Sequence, residues 1–157
     1  NDSRLQAFEL LKPTGGVLTA FDGTAVTNGV TFTGLTIDNP QDEDWYQFKL
    51  ANSPNVDAKI ELASGSSIDR LGLEIYEAGA DMPLSASFVT TGDRSSVSLA
   101  DLNPNTTYLL RVTSPNIVPT VYDLRFNLSG TVVQDWNGFY NFWNQFPLWQ
   151  PYTFKPF

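Results

Sequence analysis

Over residues 16–130 short apolar runs rich in Val, Ile, Thr, Leu, Phe and Tyr are closed off by Gly, Pro, Asn, Asp or Ser. A period of two places successive side chains on opposite faces of an extended chain, so each run predicts a strand with one buried face. Strands are predicted over 16–19, 29–37, 44–51, 56–63, 71–77, 84–90, 95–99, 107–113 and 121–129. The alternation is cleanest in Leu71, Leu73 and Ile75 against Gly72, Glu74 and Tyr76. It also turns Tyr108, Leu110 and Val112 inward on one strand, and Tyr122, Leu124, Phe126 and Leu128 inward on another. The connections carry turn chemistry, as in Asp38-Asn39-Pro40, Asn52-Ser53-Pro54-Asn55, Thr91-Gly92-Asp93 and Asn103-Pro104-Asn105. Eight or nine short strands of this kind predict an all-β chain folded as a two-sheet antiparallel β-sandwich. One helix is expected over residues 4–11, where Leu5, Phe8 and Leu11 recur at spacing three behind the caps Asp2 and Ser3.

The pattern breaks after Gly130, dividing the chain into a sandwich domain, 1–130, and an extension, 131–157. The extension holds ten aromatic residues among Asn, Gln and Pro, with only Asp135 and Lys155 charged. Left free in water it would expose a large apolar surface. Pro147, Pro151 and Pro156 exclude a long regular helix or a central strand. Three expectations follow from these residues: packing on its own sandwich or a neighbouring domain, addition as a strand to the open sheet edge of another subunit to build a filament or surface layer, or a sugar-stacking platform from Trp143, Trp149 and Tyr152. Trp136, Trp143, Trp149 and Tyr152 are the candidate contact residues for a ligand or partner.

Charge and composition narrow the chemistry. Nine Lys and Arg against seventeen Asp and Glu give a formal charge of -8, which repels phosphate backbones and anionic lipids, so neither nucleic acid nor membrane is an expected partner. Without Cys no disulfide or thiolate metal site can form, and without His the usual general base and the commonest zinc ligand are missing. Catalysis would rest on carboxylate pairs such as Asp42 with Asp44 or Glu74 with Glu77, but sequence neighbours on one turn do not flank a substrate as a glycosidase requires. The Ser-rich stretches have no base to activate them. The chain is therefore expected not to be an enzyme. No apolar run approaches a membrane span and no leader opens the chain, which reads as a processed piece of something larger.

The densest acidic stretch, Asp38-Asn39-Pro40-Gln41-Asp42-Glu43-Asp44, runs into Trp45-Tyr46. Calcium takes six to eight oxygen ligands, and Asp42-x-Asp44 places two carboxylates on one side of an extended chain; a solvated acidic turn is the competing reading. Four blocks in order, Gly34-Leu35-Thr36-Ile37, Asp42-Glu43-Asp44-Trp45-Tyr46-Gln47-Phe48, Leu71-Gly72-Leu73-Glu74-Ile75-Tyr76 and Leu102-Asn103-Pro104-Asn105-Thr106-Thr107-Tyr108-Leu109-Leu110-Arg111-Val112, resemble the bacterial pre-peptidase C-terminal domain family over roughly residues 1–129. Asn1-Asp2-Ser3 with Ala7 looks like the family's opening motif without its leading Glu-Pro, a departure that weakens the site. The resemblance, which extends to the collagen-binding domains of clostridial collagenases, implies a jelly-roll-like sandwich and a calcium ion shared by Asn1, Asp2, Asp42 and Asp44. It further implies a secreted or cell-surface accessory module, attached to a peptidase or large surface protein, whose partners are neighbouring domains or identical subunits. Collagen or polysaccharide binding is an alternative. The block Leu102-x-Pro-x-Thr-x-Tyr108 also resembles the fibronectin type III pattern, in which a tyrosine hydroxyl ties back to the preceding turn.

Overall fold

A computed structural model describes residues 2–38, 42–65, 71–88, 94–114 and 119–128. Among these residues ten strands follow a 3-10 turn at Arg4–Gln6: β1 (Phe8–Thr14), β2 (Val17–Ala20), β3 (Gly29–Ile37), β4 (Glu43–Phe48), β5 (Lys59–Ser64), β6 (Gly72–Glu77), β7 (Ser85–Phe88), β8 (Arg94–Ser98), β9 (Tyr108–Thr113) and β10 (Thr120–Asn127). They form two sheets, one of six strands in the order β2-β1-β4-β9-β6-β7 and one of four in the order β3-β10-β5-β8. The chain is an all-β sandwich, as the alternation predicts.

The inward stripes meet as expected. Tyr108, Leu110 and Val112 on β9, and Tyr122, Leu124 and Phe126 on β10, are all within 2% of full burial. Aromatic rings bridge the two sheets: Phe126 lies edge-on to Phe48 at 5.3 Å and to Phe32 at 6.0 Å, and Phe48 reaches Tyr108 at 5.6 Å. These separations are those at which ring pairs add to plain area burial.

Two features depart from the sequence reading. First, residues 4–11 are not a helix. The chain is extended from Phe8 onward, and β1 lies parallel to β4 with Phe8 opposite Tyr46, so the six-stranded sheet is mixed rather than wholly antiparallel. A register shift between Glu9 and Leu11 inserts Leu10 as an extra residue, which buries the consecutive Leu10 and Leu11 and erases the alternation. The spacing of three that suggests a helix marks no common face, since Leu5 is 99% exposed and Leu11 only 1%. Second, β6 is buried on both sides: Glu74 and Tyr76 on its outer face are only 8% and 4% exposed, beside the fully buried Leu73 and Ile75.

Two glycines are required by the backbone. Opposite Asp123 the β3 ladder takes an extra residue, where Gly34 adopts φ 71 and donates its N–H to Asp123 Oδ1 at 3.0 Å. At Gly29, φ 149, a Cβ would collide with the carbonyl oxygen of Phe126.

Candidate functional site

The polar end of the sandwich lies where β3 ends, β4 begins, β9 ends and β10 begins, with Ile37 opposite Thr120 and Glu43 opposite Thr113. Apolar alternation gives way there to oxygen-bearing side chains, and Asp44, Ser114 and Thr120 are buried at this end. Asp42 is partly buried and its carboxylate accepts the amides of Asp38 at 3.1 Å and Glu43 at 2.9 Å, so it ties Asp38, just after β3, to the start of β4. Asp44 sits on the inner face of β4, 5% exposed, and Oδ2 accepts the hydroxyl of Tyr122 from the opposite sheet at 2.5 Å. The Tyr122 hydroxyl is in turn 2.7 Å from that of Tyr46. Burial pushes the Tyr122 pKa far above 10.0, and the neighbouring Tyr46 and Asp44 push it further, so the phenol keeps its proton and remains a permanent donor.

On the outer face of the six-stranded sheet the same strand carries a second cluster, in which Trp45, Tyr76 and Leu109 pack with Ala7. Arg111 of β9 lies between two carboxylates: Nη1 donates to Glu74 Oε2 at 2.9 Å and Nη2 donates to Glu43. Tyr76 donates its hydroxyl to Glu74 at 3.0 Å, and the Trp45 indole N–H donates to Glu43 at 3.1 Å. Burial works against the Arg111 charge, but its hydrogen bonds to Glu43 and Tyr76 and the charges of Glu43 and Glu74 outweigh it and raise its pKa. The guanidinium of Arg4 stacks 4.9 Å from the Trp45 ring and 4.5 Å from the Tyr76 ring, and donates to the Ala80 carbonyl at 2.8 Å. The N-terminal segment is thereby fastened across the strand that Asp42 and Asp44 lead into.

Of the residues singled out from sequence, Asp42 and Asp44 both lie at the polar end but with different partners, Asp42 accepting backbone amides and Asp44 turned inward to Tyr122, and Asp2 is exposed two residues before the Arg4 clamp. Asn1, Trp136, Trp143, Trp149 and Tyr152 lie outside the described residues. Glu74, offered as half of a carboxylate pair with Glu77, is engaged by Arg111 and Tyr76, while Glu77 is exposed. The donors at the polar end are all oxygens, which suits a hard cation, but no three acidic side chains gather among the described residues. A cation there would need backbone, amide or hydroxyl oxygens to complete its shell. Sequence reasoning missed Tyr46, Tyr122, Arg4 and Arg111. Their one legible signal is a lone Arg inside the apolar run Tyr108-Leu109-Leu110-Arg111-Val112. The tyrosine tie was legible: Tyr108 Oη accepts the Asn103 amide at 2.8 Å, and Asn105 in the same turn takes the left-handed φ of 59.

Neither the family models nor the curated proteins compared with the chain give a match.

Proposed function

We propose that this chain is a secreted or cell-surface accessory β-sandwich, structural and not catalytic, of the kind attached to secreted peptidases or large surface proteins. On this reading a calcium ion ties the N-terminal segment to the turn before β4, with Asn1, Asp2, Asp42 and Asp44 as ligands. The observation that supports it is the convergence on β4: Arg4 clamps the N-terminal segment over Trp45, while Asp42 and Asp44 flank the start of the same strand. An ion between them would neutralise carboxylates that otherwise repel, in a chain of charge -8, and would add a second tie to the N-terminal segment beside the Arg4 guanidinium and the packing of Ala7. A non-catalytic role is supported by the way the buried ionisable groups are used. Asp44, Glu74, Tyr46, Tyr76, Tyr108 and Tyr122 each hydrogen-bond another part of the framework, and a chain without His lacks the usual neutral-pH base.

Thermal melting of the whole chain tests the cation. Calcium at 100 times its dissociation constant adds about 2.7 kcal/mol, which for a domain of this size raises Tm by roughly 5–10 °C over a chelator control. In Asp42→Asn/Asp44→Asn, which keeps the hydrogen-bond acceptors but removes the charge, the rise is expected to vanish. A melting curve indifferent to calcium in the parent chain would remove the metal from this reading.

A further inference from the structure

A groove of about 540 Å³ opens between the β1–β2 corner of one sheet and β3 of the other, and Phe8, Leu10, Phe21, Val30, Phe32 and Leu35 give it an apolar floor and walls. Phe8 and Phe21 stack edge to face at 5.4 Å yet remain 48% and 57% exposed, an unusual cost for two phenylalanines on one surface. Phe21 continues inward to Phe32 at 6.0 Å, so the groove is the open end of the aromatic ladder that crosses the core. Along its side runs β3, an edge strand nine residues long that pairs only with β10 and so leaves its other row of N–H and C=O groups unpaired by any strand among the described residues. An apolar trough beside an open strand edge is the arrangement that accepts an added extended segment.

We infer that the occupant is the extension of the same chain, residues 131–157, laid along β3 as a fifth strand of the four-stranded sheet with its aromatic side chains in the groove. The point of departure selects it. The described chain stops at Leu128, whose N–H bonds Asn28 O at 3.0 Å, and Asn127 lies opposite Gly29 at the start of β3. From β10 across β3 to its open edge is two strand spacings, about 10 Å. Ser129, Gly130 and Thr131 span about that distance when extended, and the β-branched Val132 and Val133 follow at once. The added strand then runs parallel to β3, and the short link gives it a high effective concentration over any second chain. The extension also has the composition for the groove: ten aromatic residues with only Asp135 and Lys155 charged.

The absence of cysteine in the chain permits a clean test on the full-length protein. A nitroxide is placed at Thr36→Cys, exposed on β3 outside the groove, and at Met82→Cys, exposed in the connection between β6 and the edge strand β7 of the other sheet, and the indole N–H signals of Trp136, Trp143 and Trp149 are followed by NMR. The label at Thr36→Cys is expected to abolish at least one of these signals and that at Met82→Cys to spare it. Adding Phe21→Glu, which charges the groove wall at an exposed position, is expected to restore the signal while the β9 and β10 resonances stay in place. Persistence of all three signals beside the Thr36→Cys label overturns the inference, whatever Phe21→Glu does to folding. So does a loss that occurs only between spin-labelled and isotope-labelled chains in a mixture, since the extension would then belong to a second copy.

Discussion

Phe126→Ala is expected to lower the stability of the chain by about 3–5 kcal/mol, a large part of the roughly 5–15 kcal/mol that a domain possesses. The ring is fully buried at the centre of the four-stranded sheet and touches Phe32 of its own sheet and Phe48 of the other. Its removal takes away the hydrophobic transfer free energy of the ring and leaves a cavity that two fixed sheets cannot close. Urea denaturation checks this: the midpoint falls while the slope with denaturant stays the same, since the surface exposed on unfolding barely changes. A loss below about 1 kcal/mol would mean that the sheets do not meet over this residue.

Tyr122→Phe is the second large effect, and it carries a pH signature. At neutral pH the buried Asp44 carboxylate loses its tyrosine donor, at a cost of about 1.5–3 kcal/mol for a hydrogen bond to a charged group. Tyr122 is raised far above its ordinary 10.0 by burial first and by Tyr46 and Asp44 next. A group whose folded pKa is raised contributes stability that is complete below the unfolded value and declines as pH climbs above it. From pH 10 upward the unfolded chain alone releases this proton, and the parent should lose about 1.4 kcal/mol per pH unit on this account. Tyr122→Phe lacks that share of the slope, so the gap between parent and variant narrows in alkali. Urea midpoints at pH 7, 10 and 11 measure both parts, and a constant gap would show that the phenol ionises as freely in the folded state as in the unfolded.

Nine of the ten described strands were legible because a core-facing row of apolar residues writes a period of two into the sequence, even on β6, whose outer row is covered as well. β1 was not, because the inserted Leu10 breaks that period and the residual spacing of Leu5, Phe8 and Leu11 imitates a helix. The parallel pairing of β1 with β4 was out of reach for a related reason: period two fixes which face a residue takes but says nothing of which strand lies beside it. The same limit hid both clusters. Arg111 meets Glu43 and Glu74 only because β9 sits between β4 and β6, with Trp45 and Glu74 both opposite Arg111, and Tyr122 meets Asp44 only across the two sheets. Residue type did reveal the acidic turn at Asp42 and Asp44 and the tie from Tyr108 to Asn103, since both are local. The inward aim of Asp44 follows from the register of β4 against the core, which residue type alone does not show.

Backbone amide exchange in calcium and in chelator, followed residue by residue on the whole chain, bears most directly on the cation-linked structural role. A bridging ion restrains two segments at once, so amides at residues 3–7 and at residues 42–46 should both exchange at least tenfold more slowly when calcium is present, with β5 and β8 unchanged. Identical rates in the two conditions at both segments would contradict it.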